Sequence, residues 1–208
     1  MRIAVYVLLS LCFSHAVAEE ADILKQISSR TEQYAVLRAD FTQTKRVAAM
    51  KRPLITSGKL IYAKEYGVIW QITQPYAISY ILSNEQVIEI SSDNRRKERS
   101  VNDLPGFAQI NRIFRAMIAA DSQVLNTYFD TKLQNQVRLD APWQILLTPK
   151  QAQVSRFIKQ INVTGNQFVE SIQISEASSD STDIAFTHTE GAQTLVDSEL
   201  KLFGTQKK

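Results

Sequence analysis

The chain has 208 residues, of which 44% are hydrophobic and 22% charged, and its formal net charge is +3 at pH 7. This length fits one domain with a sizeable core, and the nearly neutral balance argues against a general nucleic-acid binder while leaving membranes and small ligands open. The single cysteine, Cys12, lies in an N-terminal leader. Disulfides, thiol catalysis and zinc–thiolate sites are therefore excluded from the rest of the chain.

The first eighteen residues have the pattern of a cleavable signal peptide. Arg2 precedes a short apolar run from Ile3 to Phe13, and Ala16 to Ala18 has the small-x-small form that a signal peptidase recognises. The run is too short to anchor a mature protein in a bilayer. We therefore expect a secreted protein that begins near Glu19.

Lipidation at Cys12 is the alternative use of this leader. Leu11 is larger than the residue that usually precedes a lipidated cysteine, so cleavage after Ala18 is favoured. Cleavage there removes one base and no acid, which lowers the net charge from +3 to +2. We expect residues 19–208 to form a single domain.

The next part of the chain changes from a helical to a strand period. Asp22 can cap a helix that carries Ile27, and from Val36 onward apolar residues alternate with polar ones. The alternation repeats in four further segments separated by turn residues, which predicts an antiparallel meander with one dry face. The apolar positions are Leu37, Ala39, Phe41, Leu60, Tyr62, Val68, Trp70, Ile72, Ile78, Tyr80, Leu82 and Val87 to Ile90.

Helical periodicity then interrupts the meander. Pro105 opens a segment with one apolar stripe, and Asp121 can cap a second short helix that ends near Phe129. The apolar stripe consists of Phe107, Ile110, Ile113, Phe114, Met117 and Ile118. These helices must cover an apolar surface. Either they fill the concave side of the sheet, or they leave an apolar pocket there.

Strand patterning returns in the C-terminal part. Thr164 to Asn166 is a plausible hairpin turn, and residues 178–181 form a polar loop. The predicted strands are Trp143 to Thr148, Phe157 to Val163, Phe168 to Ser175, Ile184 to His188 and a last candidate at Glu199 to Phe203. The fold class is therefore predicted to be mainly β, with a few helices.

Groups that could perform catalysis are present but are not organised into a recognisable set. His188 is predicted to share a strand face with Phe186, and no serine lies in a Gly-x-Ser-x-Gly elbow. The acids near Glu85 and Asp180 are typical of solvated turns, without the spacing of a calcium loop. We predict no enzymatic activity, no cofactor and no metal site.

Two basic runs leave two interpretations open. One contains Lys45, Arg46, Lys51 and Arg52, and the other spans Arg95 to Arg99. They are either solvated hairpin ends and a charge-protected edge strand, or docking sites for an acidic partner or an anionic membrane.

Three motifs carry a resemblance to a known family. "LRADFTQTKR" (Leu37 to Arg46), "SGKLIYAKEYGVIWQITQP" (Ser57 to Pro75) and "WQILLTPKQAQVSRFIKQINV" (Trp143 to Val163) occur in order across the chain. Together they resemble the outer-membrane lipoprotein carrier protein LolA and its relatives. The resemblance implies an unclosed, strongly curved antiparallel β-barrel, with helices that form a lid over a hydrophobic cavity.

The resemblance also implies a function. A periplasmic carrier of this kind shields the acyl chains of a lipoprotein or another lipid. It receives them from an inner-membrane donor complex and passes them to an outer-membrane acceptor, acting as a monomer without nucleic acid. The residues expected to bind the lipid are Phe41, Tyr62, Trp70, Tyr80, Leu82, Phe107, Ile110, Phe114, Met117, Trp143, Ile172 and Phe186. The alternative is a lipid-sensing module of the same fold that signals through a protein partner.

One position departs from the family pattern. Relatives fasten the lid with an arginine in the hairpin turn, and aligning the flanking Gly58 and Trp70 to the family pattern without a gap puts Glu65 at that position. Because a carboxylate cannot donate hydrogen bonds to lid carbonyls, we expect the lid to be held differently here.

Overall fold

A computed structural model describes residues 25–103, 106–134 and 142–204 of the chain. Within these residues, eleven strands are accompanied by five α-helices and a 3-10 helix at Val101–Asp103. The strands are β1 (Val36–Arg46), β2 (Leu54–Ala63), β3 (Gly67–Gln74), β4 (Ile78–Leu82), β5 (Gln86–Ser91), β6 (Arg96–Ser100), β7 (Phe129–Leu133), β8 (Trp143–Pro149), β9 (Ile158–Gly165), β10 (Val169–Glu176) and β11 (Ser181–Ala192). The helices are α1 (which includes residues 25–32), α2 (Phe107–Ala119), α3 (Ser122–Tyr128), α4 (Ala152–Ser155) and α5 (Asp197–Phe203).

The strands form a single antiparallel sheet in the order β6-β5-β4-β3-β2-β1-β11-β10-β9-β8-β7. The first and last strands of the described residues, β1 and β11, pair at the centre of the sheet, while β6 and β7 are its two free edges. The sheet is therefore not closed into a barrel. The predicted fold class, mainly β with an antiparallel meander, is confirmed.

One face of the sheet, the inner face, packs on helices. Leu37 and Phe41 of β1, Trp70 of β3 and Trp143 of β8 belong to one hydrophobic core with residues of α1, α2 and α3. Since strands from both halves of the sheet reach the same core, the sheet must curve around these helices. The period-two alternation of apolar residues produces this arrangement, because it places the large side chains on one face.

Helix α2 is fixed at its C-terminal end. Its C-cap residue is Ala120, whose backbone is left-handed with φ 51°, and the Ser28 hydroxyl of α1 donates a hydrogen bond to the Ala120 carbonyl at 2.6 Å. The Thr31 hydroxyl donates to the Ala119 carbonyl. As predicted, the Asp121 side chain caps the following helix by accepting from the Val124 amide at 3.0 Å.

The prediction of a strand at Glu199 to Phe203 is wrong, because these residues belong to α5. A five-residue segment is too short to distinguish alternation from a helical turn. Leu202 and Phe203 pack against the outer face of the sheet, on a small cluster formed by Ile69, Ile81 and Ile88. Leu202 and Phe203 thus lie on the side opposite to α2.

An ion pair holds α5 in place. Arg38 donates two hydrogen bonds of 2.6 Å to the Glu199 carboxylate, and Glu199 also accepts from the Val196 amide. Burial raises the pKa of Glu199, but the bonds from Arg38 and Val196 outweigh it and the net pKa lies below its usual value. The pair therefore consists of two charged groups at neutral pH.

Other predicted boundaries differ from the structure. The expected helix cap at Asp22 and the helix start at Pro105 lie outside the described residues. Phe129, expected in the second helix, begins β7, which is not among the predicted strands. The run Arg95 to Arg99, for which a charged edge strand was one of the two interpretations, overlaps β6 at one edge of the sheet. The remaining predicted strands occur with shifts of a few residues at their ends.

Candidate functional site

A cavity of about 530 Å³ lies between the inner face of the sheet and α2. Its apolar wall comes from two sources: strands β3 to β5 and the side chains of Phe107 and Phe114 on α2. The strand residues are Trp70, Tyr80, Leu82 and Val87. The volume falls within the range of roughly 300–1,000 Å³ that is usual for small-molecule sites. The helices therefore fill the concave side of the sheet only in part.

Trp70 is held rigidly in the wall of this cavity. Phe41 stacks on its ring at a centroid distance of 3.7 Å, and the rings of Phe114 and Phe186 meet it edge-on at 5.4 and 6.4 Å. Gly58 lies between the strands that carry Phe41 and Trp70, and a β-carbon there would overlap the carbonyl oxygen of Gln71. This close approach requires a residue without a side chain.

The mouth of the cavity is polar. Gln43 of β1, Glu89 of β5, and Lys97 and Arg99 of β6 lie around it. Lys97 is paired in register with Glu89 and Arg99 with Val87, so both cations project on the inner face of the edge strand. The wall is thus apolar and the rim is charged.

Tyr80 connects the wall to the rim. Burial raises the pKa of its phenol, and the nearby Glu89 carboxylate raises it further. The hydroxyl therefore remains protonated at neutral pH and can donate a hydrogen bond at the rim of the cavity.

A second cavity, of about 480 Å³, lies on the other side of α2 and has a more polar lining. Tyr62 of β2 and Asn84 of the β4–β5 turn line it together with Asn111, Arg112 and Arg115 of α2. Burial raises the pKa of Tyr62, while the charge of Arg115 opposes this shift. The polar lining makes this cavity less suited to a long apolar ligand.

Hydrogen bonds from α2 fasten the helix to two turns of the sheet. Arg115 donates to the Lys64 carbonyl in the β2–β3 turn at 3.1 Å and to the Asn84 side chain in the β4–β5 turn. Asn111 donates to the Ser83 carbonyl at 2.6 Å. The fastening arginine thus lies on the helix, not in the hairpin turn.

Glu65, in the β2–β3 turn, is exposed, and its carboxylate has no bonding partner among the described residues. Its neighbour Lys64 supplies only a backbone carbonyl to the fastening, which any residue at that position would provide. The sequence-based role of Glu65 stays a prediction.

The structure separates the twelve residues expected to bind lipid into five groups. Five line the 530 Å³ cavity: Trp70, Tyr80, Leu82, Phe107 and Phe114. Tyr62 lines the polar cavity, and Phe186 borders two clefts beside β11. Phe41, Met117, Trp143 and Ile172 are buried in the core, and Ile110 is 57% exposed on the N-terminal half of α2.

Several residues of the site were not predicted from the sequence. Val87 and Glu89 are in a predicted strand, and Lys97 and Arg99 are in the noted basic run, but none was assigned to a cavity. Alternation along β6 would have put Lys97 and Arg99 on one face. Whether that face is the inner or the outer face of the sheet depends on how β6 pairs with its partner strand, and alternation alone does not show the pairing.

His188 does not share a face with Phe186, which corrects the predicted pattern. Two residues of β11, His188 and Thr189, face one residue of β1, and His188 has a left-handed φ of 52°. This bulge turns His188 outward, and its side chain is 83% exposed with Nδ1 3.0 Å from the Asp40 carboxylate. A bulge inserts one extra residue and so reverses the alternation beyond it.

Within residues 25–103, 106–134 and 142–204, no three or more His, Cys, Asp or Glu side chains are grouped so that they could hold a metal ion. In the same ranges, no helix has the length and apolarity required to cross a membrane.

An open antiparallel sheet that wraps around helices and leaves an apolar cavity beneath one of them defines a class of β-rich proteins with an internal binding space. The sequence pattern of the outer membrane lipoprotein carrier protein LolA-like family matches residues 15–196. The chain belongs to this family. No curated protein sequence matches it.

Solved structures resemble the fold at low sequence identity. A LolA superfamily protein from Nitrosomonas europaea is 10% identical with a TM-score of 0.43, covering 86% of this chain and 96% of its own. A putative outer membrane lipoprotein-sorting protein domain from Vibrio parahaemolyticus is 8% identical with a TM-score of 0.45, covering 89% and 98%. The MucA/MucB complex of Pseudomonas aeruginosa contains a chain that is 8% identical with a TM-score of 0.48, covering 86% of this chain and 59% of its own.

Proposed function

We propose that this protein is a periplasmic carrier. It takes an acyl lipid, or the acyl chains of a lipoprotein, from the inner membrane and delivers it to the outer membrane. The leader of residues 1–18 directs the chain to the periplasm. The observation that carries the proposal is the 530 Å³ cavity with apolar walls between the inner face of the sheet and α2.

The energetics of acyl chains explain why such a cavity is useful. Each methylene that leaves water gains about 0.8 kcal/mol, so a sixteen-carbon chain resists transfer into water by on the order of 12 kcal/mol. A carrier replaces this transfer by two exchanges between apolar environments. To release its cargo without an energy source, the carrier needs a cavity that opens easily.

The contacts of α2 are suited to such opening. Its C-terminal end is anchored through Ser28 and Thr31, whereas its N-terminal half carries the exposed Ile110. The side-chain oxygen of Asn111 is buried and accepts no hydrogen bond among the described residues, which costs about 1–3 kcal/mol in the closed state. The helix can therefore act as a lid that pivots near Ala120, with Arg115 as its main fastening.

Replacing Arg115 by alanine is expected to speed release of a bound acyl ligand about tenfold. The change removes hydrogen bonds to Lys64 and Asn84 that hold the lid closed, and tenfold corresponds to about 1.4 kcal/mol. Stopped-flow dilution of protein loaded with a fluorescent fatty acid measures the rate.

Arg112→Ala is the matched control, since Arg112 lies one turn earlier on α2, is exposed and has no bond to a described residue. Its release rate should equal that of the unaltered protein. Equal acceleration by both variants would show that charge on α2, not the fastening, sets the rate.

The carrier function itself is tested by transfer between membranes. Protein isolated gently from the periplasm should contain acyl lipid when examined by native mass spectrometry. It should also move labelled lipid from inner-membrane to outer-membrane vesicles. A stoichiometric complex with one signalling protein, stable without lipid and accompanied by no transfer, would instead establish the sensing module.

A further inference from the structure

The edge strand β6 carries charged side chains on both faces, and the contacts of these side chains differ between the two faces. On the outer face Arg96 forms an ion pair with Glu98 at 2.5 Å and also donates a hydrogen bond to the Leu202 carbonyl of α5 at 3.4 Å. These charges are neutralised locally and help to hold a helix. They account for the protection of this edge against pairing with other strands.

On the inner face the cations Lys97 and Arg99 have no partner among the described residues. Lys97 and Arg99 form no ion pair with any described residue, although Lys97 lies in register with Glu89. Because Lys97 and Arg99 are two residues apart on one strand, their Cα atoms are separated by roughly 6.6 Å. Two cations against one carboxylate leave the rim of the cavity net positive.

Lys97 and Arg99 lie where they can contact the polar end of a molecule bound in the cavity. Both line the 530 Å³ cavity, with the apolar side chains of Trp70 and Phe114 deeper inside. The side chain of Gln43 on β1 and the hydroxyl of Tyr80 lie in the same lining and can add hydrogen-bond donors. An amphiphile with its chain inside would therefore present its head group to Lys97 and Arg99.

We infer that the ligand of this cavity is an acyl lipid with an anionic head group, a carboxylate or a phosphate, which Lys97 and Arg99 bind at the cavity mouth. The inference rests on the proposed function, because it requires an acyl chain in the cavity. Charge-assisted hydrogen bonds from a Lys and an Arg are among the stronger contacts available to such groups, and arginine can bind them with two parallel bonds.

The test compares ligands that share a chain and differ only in head-group charge. One pair is a fluorescent fatty acid and its methyl ester, and the second is dodecyl phosphate and its dimethyl ester, used as competitors. At low salt the protein should bind each anion about tenfold more tightly than its ester, and added salt should reduce the ratio. If the anion is preferred in only one of the two pairs, that pair identifies the head group as a carboxylate or as a phosphate.

The double variant Lys97→Gln/Arg99→Gln should bind acid and ester equally, with ester affinity unchanged. The matched control is Lys51→Gln/Arg52→Gln, which removes two exposed cations from the β1–β2 connection, outside the cavity lining. The control should keep the tenfold preference. Loss of preference in both double variants would overturn the inference in favour of general surface charge.

The remaining outcomes separate the two proposals. Equal binding of acid and ester by the unaltered protein would overturn the head-group inference and leave the acyl carrier standing. Failure to bind any of the four ligands would overturn the proposed function, and the head-group inference with it.

Discussion

Replacing Phe114 by aspartate is expected to weaken acyl binding about 30-fold or more. Phe114 forms part of the apolar lining from α2 and meets Trp70 edge-on, so the new carboxylate would lie against the bound chain. Leaving a polar group against an apolar chain costs at least ~2 kcal/mol, which corresponds to this factor. Titration with a fluorescent fatty acid measures the dissociation constant.

Ile110→Asp is the control for this change. Ile110 is on the same helix, one turn earlier, but it is 57% exposed and does not line the cavity. Its affinity should stay within about twofold of the unaltered protein. If both aspartates weaken binding equally, the acyl chain is not in this cavity. Circular dichroism of both variants shows whether the fold is retained.

Replacing Trp143 by alanine is expected to lower the free energy of unfolding by about 4 kcal/mol, the usual cost of deleting a large buried aromatic side chain. Trp143 is only 1% exposed, and its indole nitrogen donates a hydrogen bond to the Asn166 carbonyl at 2.7 Å. Urea denaturation measures the change. Binding of the fatty acid per folded molecule should be unaltered, because Trp143 is not in the cavity lining.

Trp143→Phe separates packing from the hydrogen bond at this position. It keeps most of the apolar volume and removes the indole donor, so the loss should be about 1–2 kcal/mol. Should Trp143→Ala leave stability unchanged and abolish fatty-acid binding, the sequence-based assignment of Trp143 to the lipid site would be right and the buried placement wrong.

The two tryptophans show how far the sequence-based prediction of the site extends. Trp70 and Trp143 occur in similar alternating segments, and both lie on the inner face of the sheet as that pattern predicts. Trp70 lines the cavity, whereas Trp143 is sealed in the core. Alternation identifies the face of a strand, but it carries no information about how much of that face the helices cover.

The polar residues of the site were harder to predict for a different reason. Lys97 and Arg99 were visible as part of a basic run, whereas no sequence pattern singled out Arg115. Their roles depend on the pairing of β6 with β5 and on the position of α2 over the β2–β3 and β4–β5 turns. The contacts of Arg115 join residues 31 and 51 positions apart, and the pairing of β6 depends on the turn that joins it to β5, so the alternation within one segment encodes neither.

The sequence by itself determined the one-sided strands, the antiparallel meander, the helical segment placed over it and the family to which the chain belongs. These features follow from local periodicity and from motifs within single segments. Only the tertiary structure decided that α2 leaves a cavity beside Trp70, that Arg115 fastens α2 to two turns of the sheet, and that Lys97 and Arg99 lie at the cavity mouth. The physical reason is that periodicity sets the direction of each side chain, whereas the packing of distant segments sets the space that remains between them.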